Sequence, residues 1–168
     1  MITANGLSQL VGFVFASHEE TPTKLSNAVR KWDGKTPYGV HPTWCAMTLL
    51  TETLLPEKIR TVGAQVLLLH DILEDTTTEL PDEISDKVAR LVMDMTFASS
   101  DEEMVKVWTK SIEVKLLKLY DKVSNLLDGS WMSADKHARY ASYTLRLCDE
   151  VEKHYGTLNI VTITRAIV

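Results

Sequence analysis

A chain of 168 residues with 45% hydrophobic and 24% charged side chains has the make-up of a globular protein able to bury one sizeable core. Its net charge of −5 argues against general nucleic-acid binding, and no apolar run approaches the roughly 20 residues of a membrane span. The opening Met1-Ile2-Thr3-Ala4-Asn5-Gly6 lacks the basic and apolar regions of a signal peptide, so the expected location is cytoplasmic, with no membrane partner. Cys45 and Cys148, far apart in apolar helical contexts, read as reduced core thiols.

Taken in order, Gly6 to His18 places Leu7, Leu10, Val11, Val14 and Phe15 on one face, which predicts an amphipathic helix. Pro22 interrupts the next stretch; a short helix around Lys24–Trp32 and a turn at Asp33-Gly34 are expected. Pro37-Tyr38-Gly39-Val40-His41-Pro42 reads as extended, and a helix follows from about Pro42 to Leu54. Pro56 opens a helix that continues through Val66–Leu69 into His70-Asp71 and stops at Thr76-Thr77-Thr78. Leu80-Pro81-Asp82-Glu83 starts another, with acids in its first turn, reaching about Met95.

Ser99 and Ser100, each with a glutamate three residues on, form a capping-box signature for a helix to about Thr109. Ile112, Leu116, Leu119, Tyr120, Val123, Leu126 and Leu127 make a wide apolar stripe, with Lys118, Asp121, Asn125 and Asp128 opposite. The last long helix, about Ala134 to Tyr155, ends at Gly156. The tail Thr157–Val168, apolar and rich in β-branched residues, reads as irregular or β-like. The fold class expected is a compact, single-domain all-α bundle of some seven or eight helices spanning residues 1–168.

Chemistry concentrates in Leu67-Leu68-Leu69-His70-Asp71-Ile72-Leu73-Glu74-Asp75, an apolar run ending in four polar side chains. On a continuous helix His70 shares a face with Glu74, and Asp71 with Asp75. Burying such carboxylates costs several kcal/mol, roughly, unless a cation compensates them, and a divalent metal does so economically. His41 and Asp121 join as candidate ligands. Two imidazoles and two carboxylates suit Mn²⁺, Fe²⁺, Co²⁺ or Zn²⁺ better than Mg²⁺. Such a metal activates water and polarises a phosphoryl oxygen, with Glu74 placed to orient the water or take its proton. Lys24, Arg30, Lys31 and Lys35, against the single acid Asp33, form a local positive excess that a small anionic ligand could use.

These residues carry a family resemblance. His70-Asp71 with an upstream histidine and a distant aspartate resembles the HD superfamily of metal-dependent phosphohydrolases. The chain is most similar to the hydrolase domain of RelA/SpoT-type alarmone enzymes and to small alarmone hydrolases. The matching stretches are Arg30-Lys31 with Pro37-Tyr38-Gly39-Val40-His41-Pro42, then Leu68 to Thr76, then Lys118 to Leu126.

The resemblance implies manganese, or another transition metal, held by His41, His70, Asp71 and Asp121. It implies that Glu74 and Asp75 act on the attacking water, and that Arg30, Lys31 and Asn125 contact the nucleotide; Lys118 joins Arg30 and Lys31 as a candidate for holding phosphates. The reaction it implies is removal of the 3′-pyrophosphate of (p)ppGpp, in the stringent response. Ser124 stands where the family has histidine, Lys122 where it has arginine, and the Arg30–His41 spacing is about two residues longer. An HD-type nucleotidase or (deoxy)nucleoside triphosphate hydrolase, and a non-catalytic nucleotide-sensing HD domain, are the alternatives. The oligomeric state stays open, a homo-oligomer included.

Overall fold

The computed structural model describes residues 3–168, and the only β pairing among them is two isolated bridges. Helix α1 (Ala4–Glu20) starts at Thr3, whose hydroxyl accepts from the Gly6 N–H. The helix expected around Lys24–Trp32 shrinks to one 3₁₀ turn, Leu25–Asn27. Its backbone groups find partners elsewhere: Thr23 N–H donates to Asp75 O, Arg30 N–H to Thr36 O, and Tyr38 N–H to Ala28 O. Residues 28–38 thus fold back on themselves around Asp33-Gly34. There Gly34 takes φ 65° and the Asp33 carboxylate accepts from the Lys35 and Thr36 N–H groups.

Helix α2 (Val40–Leu50) begins earlier than expected, because Gly39 already has helical backbone angles and Pro42 falls in the first turn. Val40 and His41 are therefore helical rather than extended. Helix α3 (Glu57–Leu69) does not run on through His70-Asp71. It stops, and a separate turn, α4 (Ile72–Asp75), follows after a break at those two residues. The His70 ring itself donates from Nδ1 to Leu67 O at 2.7 Å, giving the last turn of α3 a side-chain partner.

Helix α5 (Asp86–Met95) starts five residues beyond Pro81, where Ser85 rather than the Leu80-Pro81 pair supplies the cap. Ser99 caps α6 (Ser100–Lys106), Glu102 reaches back to the Ala98 N–H, and a 3₁₀ turn carries on to Thr109. Helix α7 (Ile112–Leu127) is capped by Ser111, and α8 (Ala134–Tyr155) ends at Gly156 with φ 81°.

The tail is not β-like: it forms α9 (Asn159–Ile167). Ile160, Val161 and Thr164 recur at helical spacing and are buried against α7 and α8. The buried carboxylate of Glu52 accepts the Asn159 and Ile160 N–H groups, both at 2.9 Å. Packing and a remote cap override the local β preference.

Helix α7 is the axis of the bundle. Val114, Leu116, Leu117, Leu119, Tyr120 and Val123 are buried among α2, α3, α5, α8 and α9. Each such side chain contributes roughly 2 kcal/mol. Helices α2, α3 and α7 approach so closely at Gly63 that a Cβ there would lie 2.6 Å from Leu49 Cδ2 and 3.0 Å from Leu117 Cδ2. That closeness draws the first turn of α2, the end of α3 and the middle of α7 to one corner.

Candidate metal centre

His41 from the first turn of α2, His70 at the end of α3, Asp71 at the start of α4 and Asp121 from mid-α7 meet there, all buried. The ligand atoms of His41, His70 and Asp121 lie within 4.8 Å of one another. Asp71 Oδ2 lies 3.5 Å from His41 Nε2 and 3.2 Å from His70 Nε2, while Asp121 Oδ1 lies 3.5 and 3.8 Å from the same two atoms. Yet both Nε2 atoms lack a hydrogen bond of acceptable geometry.

The other ring nitrogens are engaged. His70 Nδ1 faces a carbonyl, which can only accept, so its neutral form carries the proton there and turns the Nε2 lone pair to the corner. His41 Nδ1 lies 2.8 Å from Ser124 Oγ, a partner able to accept in the same way. Two buried lone pairs and two carboxylate oxygens aimed at one point fit a divalent cation of borderline softness.

The electrostatics agree. Burial opposes a charge on His70, but Asp71 and Asp121 outweigh it and lift its pKa to about 9, a proton taking the place of a cation. For His41 burial wins and the pKa falls. Burial likewise opposes the Asp121 charge, yet Lys122 and Lys118 hold that carboxyl well below its usual range. The corner opens onto a cleft of about 1130 Å³, whose wall includes Glu74, Asp75, Tyr38 and a set of lysines. Glu74 accepts from the Phe97 N–H at 2.9 Å; although it opens to the cleft, loss of water and then Asp71 raise its pKa to about 7. The same causes raise Asp75 to about 6, and its Oδ1 accepts from Asn27 at 2.7 Å.

No family model matches the chain, and neither does any curated protein. Among solved structures, one of a metazoan orthologue of SpoT, which hydrolyses ppGpp and plays a role in starvation responses, aligns with a TM-score of 0.74. The alignment covers 99% of this chain and 95% of that one at 19% identity. This chain shares the fold of that structure.

The remaining predicted residues take several places around this corner. Lys31 lines the cleft, with Nζ 4.7 Å from the centre of the Trp131 ring. Asn125 also lines it, donating to Asp121 Oδ1 at 2.7 Å. Arg30 is turned away: it is buried, paired with Asp128 at 2.7 and 3.0 Å, and donates to Asn125 Oδ1 at 2.7 Å. Lys118 is buried between Glu103 at 3.0 Å and Asp121 at 3.3 Å. Continuous-helix spacing does not apply to His70 and Glu74, since the chain breaks between α3 and α4.

Sequence reasoning assigned no role to Tyr38, whose hydroxyl donates to Asp71 Oδ2 at 2.8 Å. Its place three residues before His41 was the available signal. It also passed over Lys106, Lys110 and Lys136 on the cleft wall, which lie on helices and turns that read locally as solvated faces.

Proposed function

We propose that this protein is a divalent-metal-dependent nucleotide phosphohydrolase that removes the 3′-pyrophosphate of (p)ppGpp. The observation that carries the reading is the pair of orphaned imidazole nitrogens facing two carboxylate oxygens at the end of a lysine-lined cleft. His41, His70, Asp71 and Asp121 would hold the metal, with manganese the proposed ion. When bound, it supplies Lewis acidity that makes water a nucleophile near neutral pH and polarises the phosphoryl group.

The chain's own residues do the rest. Tyr38 and Asn125 fix the rotamers of Asp71 and Asp121. Glu74 accepts the proton of the attacking water, a role suited to a carboxyl whose pKa sits near 7 before the cation's charge lowers it. Water oxygen bonds to the phosphorus next to the sugar, the bond from that phosphorus to the 3′ oxygen breaks, and the sugar oxygen takes up a proton. Asp75, tied to Asn27, stands one residue on as a second acceptor. Lys31 holds phosphate charge directly, whereas Arg30 acts through Asn125 and Asp128.

Manganese-loaded protein incubated with ppGpp should release pyrophosphate. Turnover of deoxynucleoside triphosphates or nucleoside monophosphates instead would favour the wider HD nucleotidase reading, which the Arg30–Asp128 pairing supports by withdrawing a cation from the cleft. Binding without turnover of any of them would leave a nucleotide sensor.

A further inference from the structure

Asp121 has two oxygens with different neighbours. Oδ1 faces the imidazoles, while Oδ2 is held by Lys118 at 3.3 Å and Lys122 at 3.0 Å. The same two lysines reach Glu103 Oε2 from α6, at 3.0 and 2.9 Å. The remaining oxygen, Glu103 Oε1, accepts from the Tyr143 hydroxyl of α8 at 2.9 Å. All five side chains are buried. Stability alone gives no reason for this arrangement, since a buried ion-pair network is often no more stabilising than apolar residues of the same volume.

The charges do give a reason. Two ammonium groups against Asp121 alone would leave a net positive charge beside a cation site. Glu103 makes the group neutral and fixes both lysines on Oδ2, so that Oδ1 alone is presented to the corner. We propose that Glu103 is a positioning residue for the metal centre: from α6, through Lys118 and Lys122, it orients Asp121 and cancels the positive charge behind it. This rests on the metal reading above and adds a residue that does not touch the metal.

The test is isothermal titration of Mn²⁺ into the full chain, with no substrate present. Glu103→Gln keeps the shape and removes the charge, and should weaken Mn²⁺ binding by about 10- to 100-fold. Tyr143→Phe removes one hydrogen bond and keeps the charge, and Glu103→Asp restores the charge on a shorter stem; both should stay within about threefold to fivefold of the unmutated protein. Val107→Ala, a core truncation beside α6, lowers the melting temperature without touching the network. If Glu103→Gln binds Mn²⁺ as tightly as the unmutated protein, or if affinity merely tracks melting temperature across the four variants, the proposal is wrong. Absence of Mn²⁺ binding by the unmutated protein would instead remove the metal reading itself, and this role with it.

Discussion

In the proposed centre a proton on His70 and the metal would compete for one place, which makes affinity depend on pH in a calculable way. With its pKa near 9 in the metal-free protein, His70 is almost fully protonated at pH 7. Freeing the Nε2 lone pair there costs about two pH units of work, about 3 kcal/mol, or a ~100-fold loss of apparent affinity relative to a fully deprotonated ring. Mn²⁺ affinity should therefore rise by about tenfold per pH unit from pH 6.5 to 8.5, measured by calorimetry under anaerobic conditions. Titration in two buffers of different ionisation heat should count about one proton released per ion at pH 7.

The stability of the metal-free protein runs the other way. A pKa raised from 6.5 in the unfolded chain to about 9 stabilises the fold by about 3 kcal/mol below pH 6.5. That contribution fades as pH rises through 9. Flat affinity across this range with no proton release would refute the competition, as would His70→Ala binding Mn²⁺ like the parent.

Three further outcomes follow from the geometry. Glu74→Gln, assayed by pyrophosphate release, should keep Mn²⁺ and lose about 10²- to 10⁴-fold in turnover; equal loss of metal would make Glu74 a ligand instead. Glu52→Ala strips the Tyr120 hydroxyl and two N–H groups of α9 of a buried acceptor, and should cost about 3 kcal/mol in chemical denaturation. Gly63→Ala forces a Cβ against Leu49 and Leu117, and should cost about 1–3 kcal/mol while leaving Mn²⁺ affinity near that of the parent.

Long periodic segments were legible from residues alone: α1, α7 and α8 lie where their apolar spacing and caps put them. That His70 and Asp71 would meet His41 and Asp121 was legible too, because acids that close an apolar run need a cation to offset their desolvation. Four features escaped, and distant residues decide three of them. The tail is helical through Glu52, more than a hundred residues away. The break at His70-Asp71 involves a ring turning back on its own helix. The charge and neighbours of Arg30 suggest a phosphate ligand, but nothing local reveals that Asp128 folds over against it. Lys118, too, suggests a phosphate contact from its sequence alone, because Glu103, its counter-charge, comes from another helix.

One helix, α7, bears Asp121, both lysines behind it, the serine that meets His41 and the asparagine that meets Arg30. Successive residues on a helix are rotated by roughly 100°. A single extra residue between 112 and 117 would swing that whole assembly off the corner together, leaving each half of the proposed centre intact but misaimed. A tolerated change of length is therefore expected only at the joints between helices, and the spacing inside α7 is as much a part of the proposed centre as its candidate ligands are.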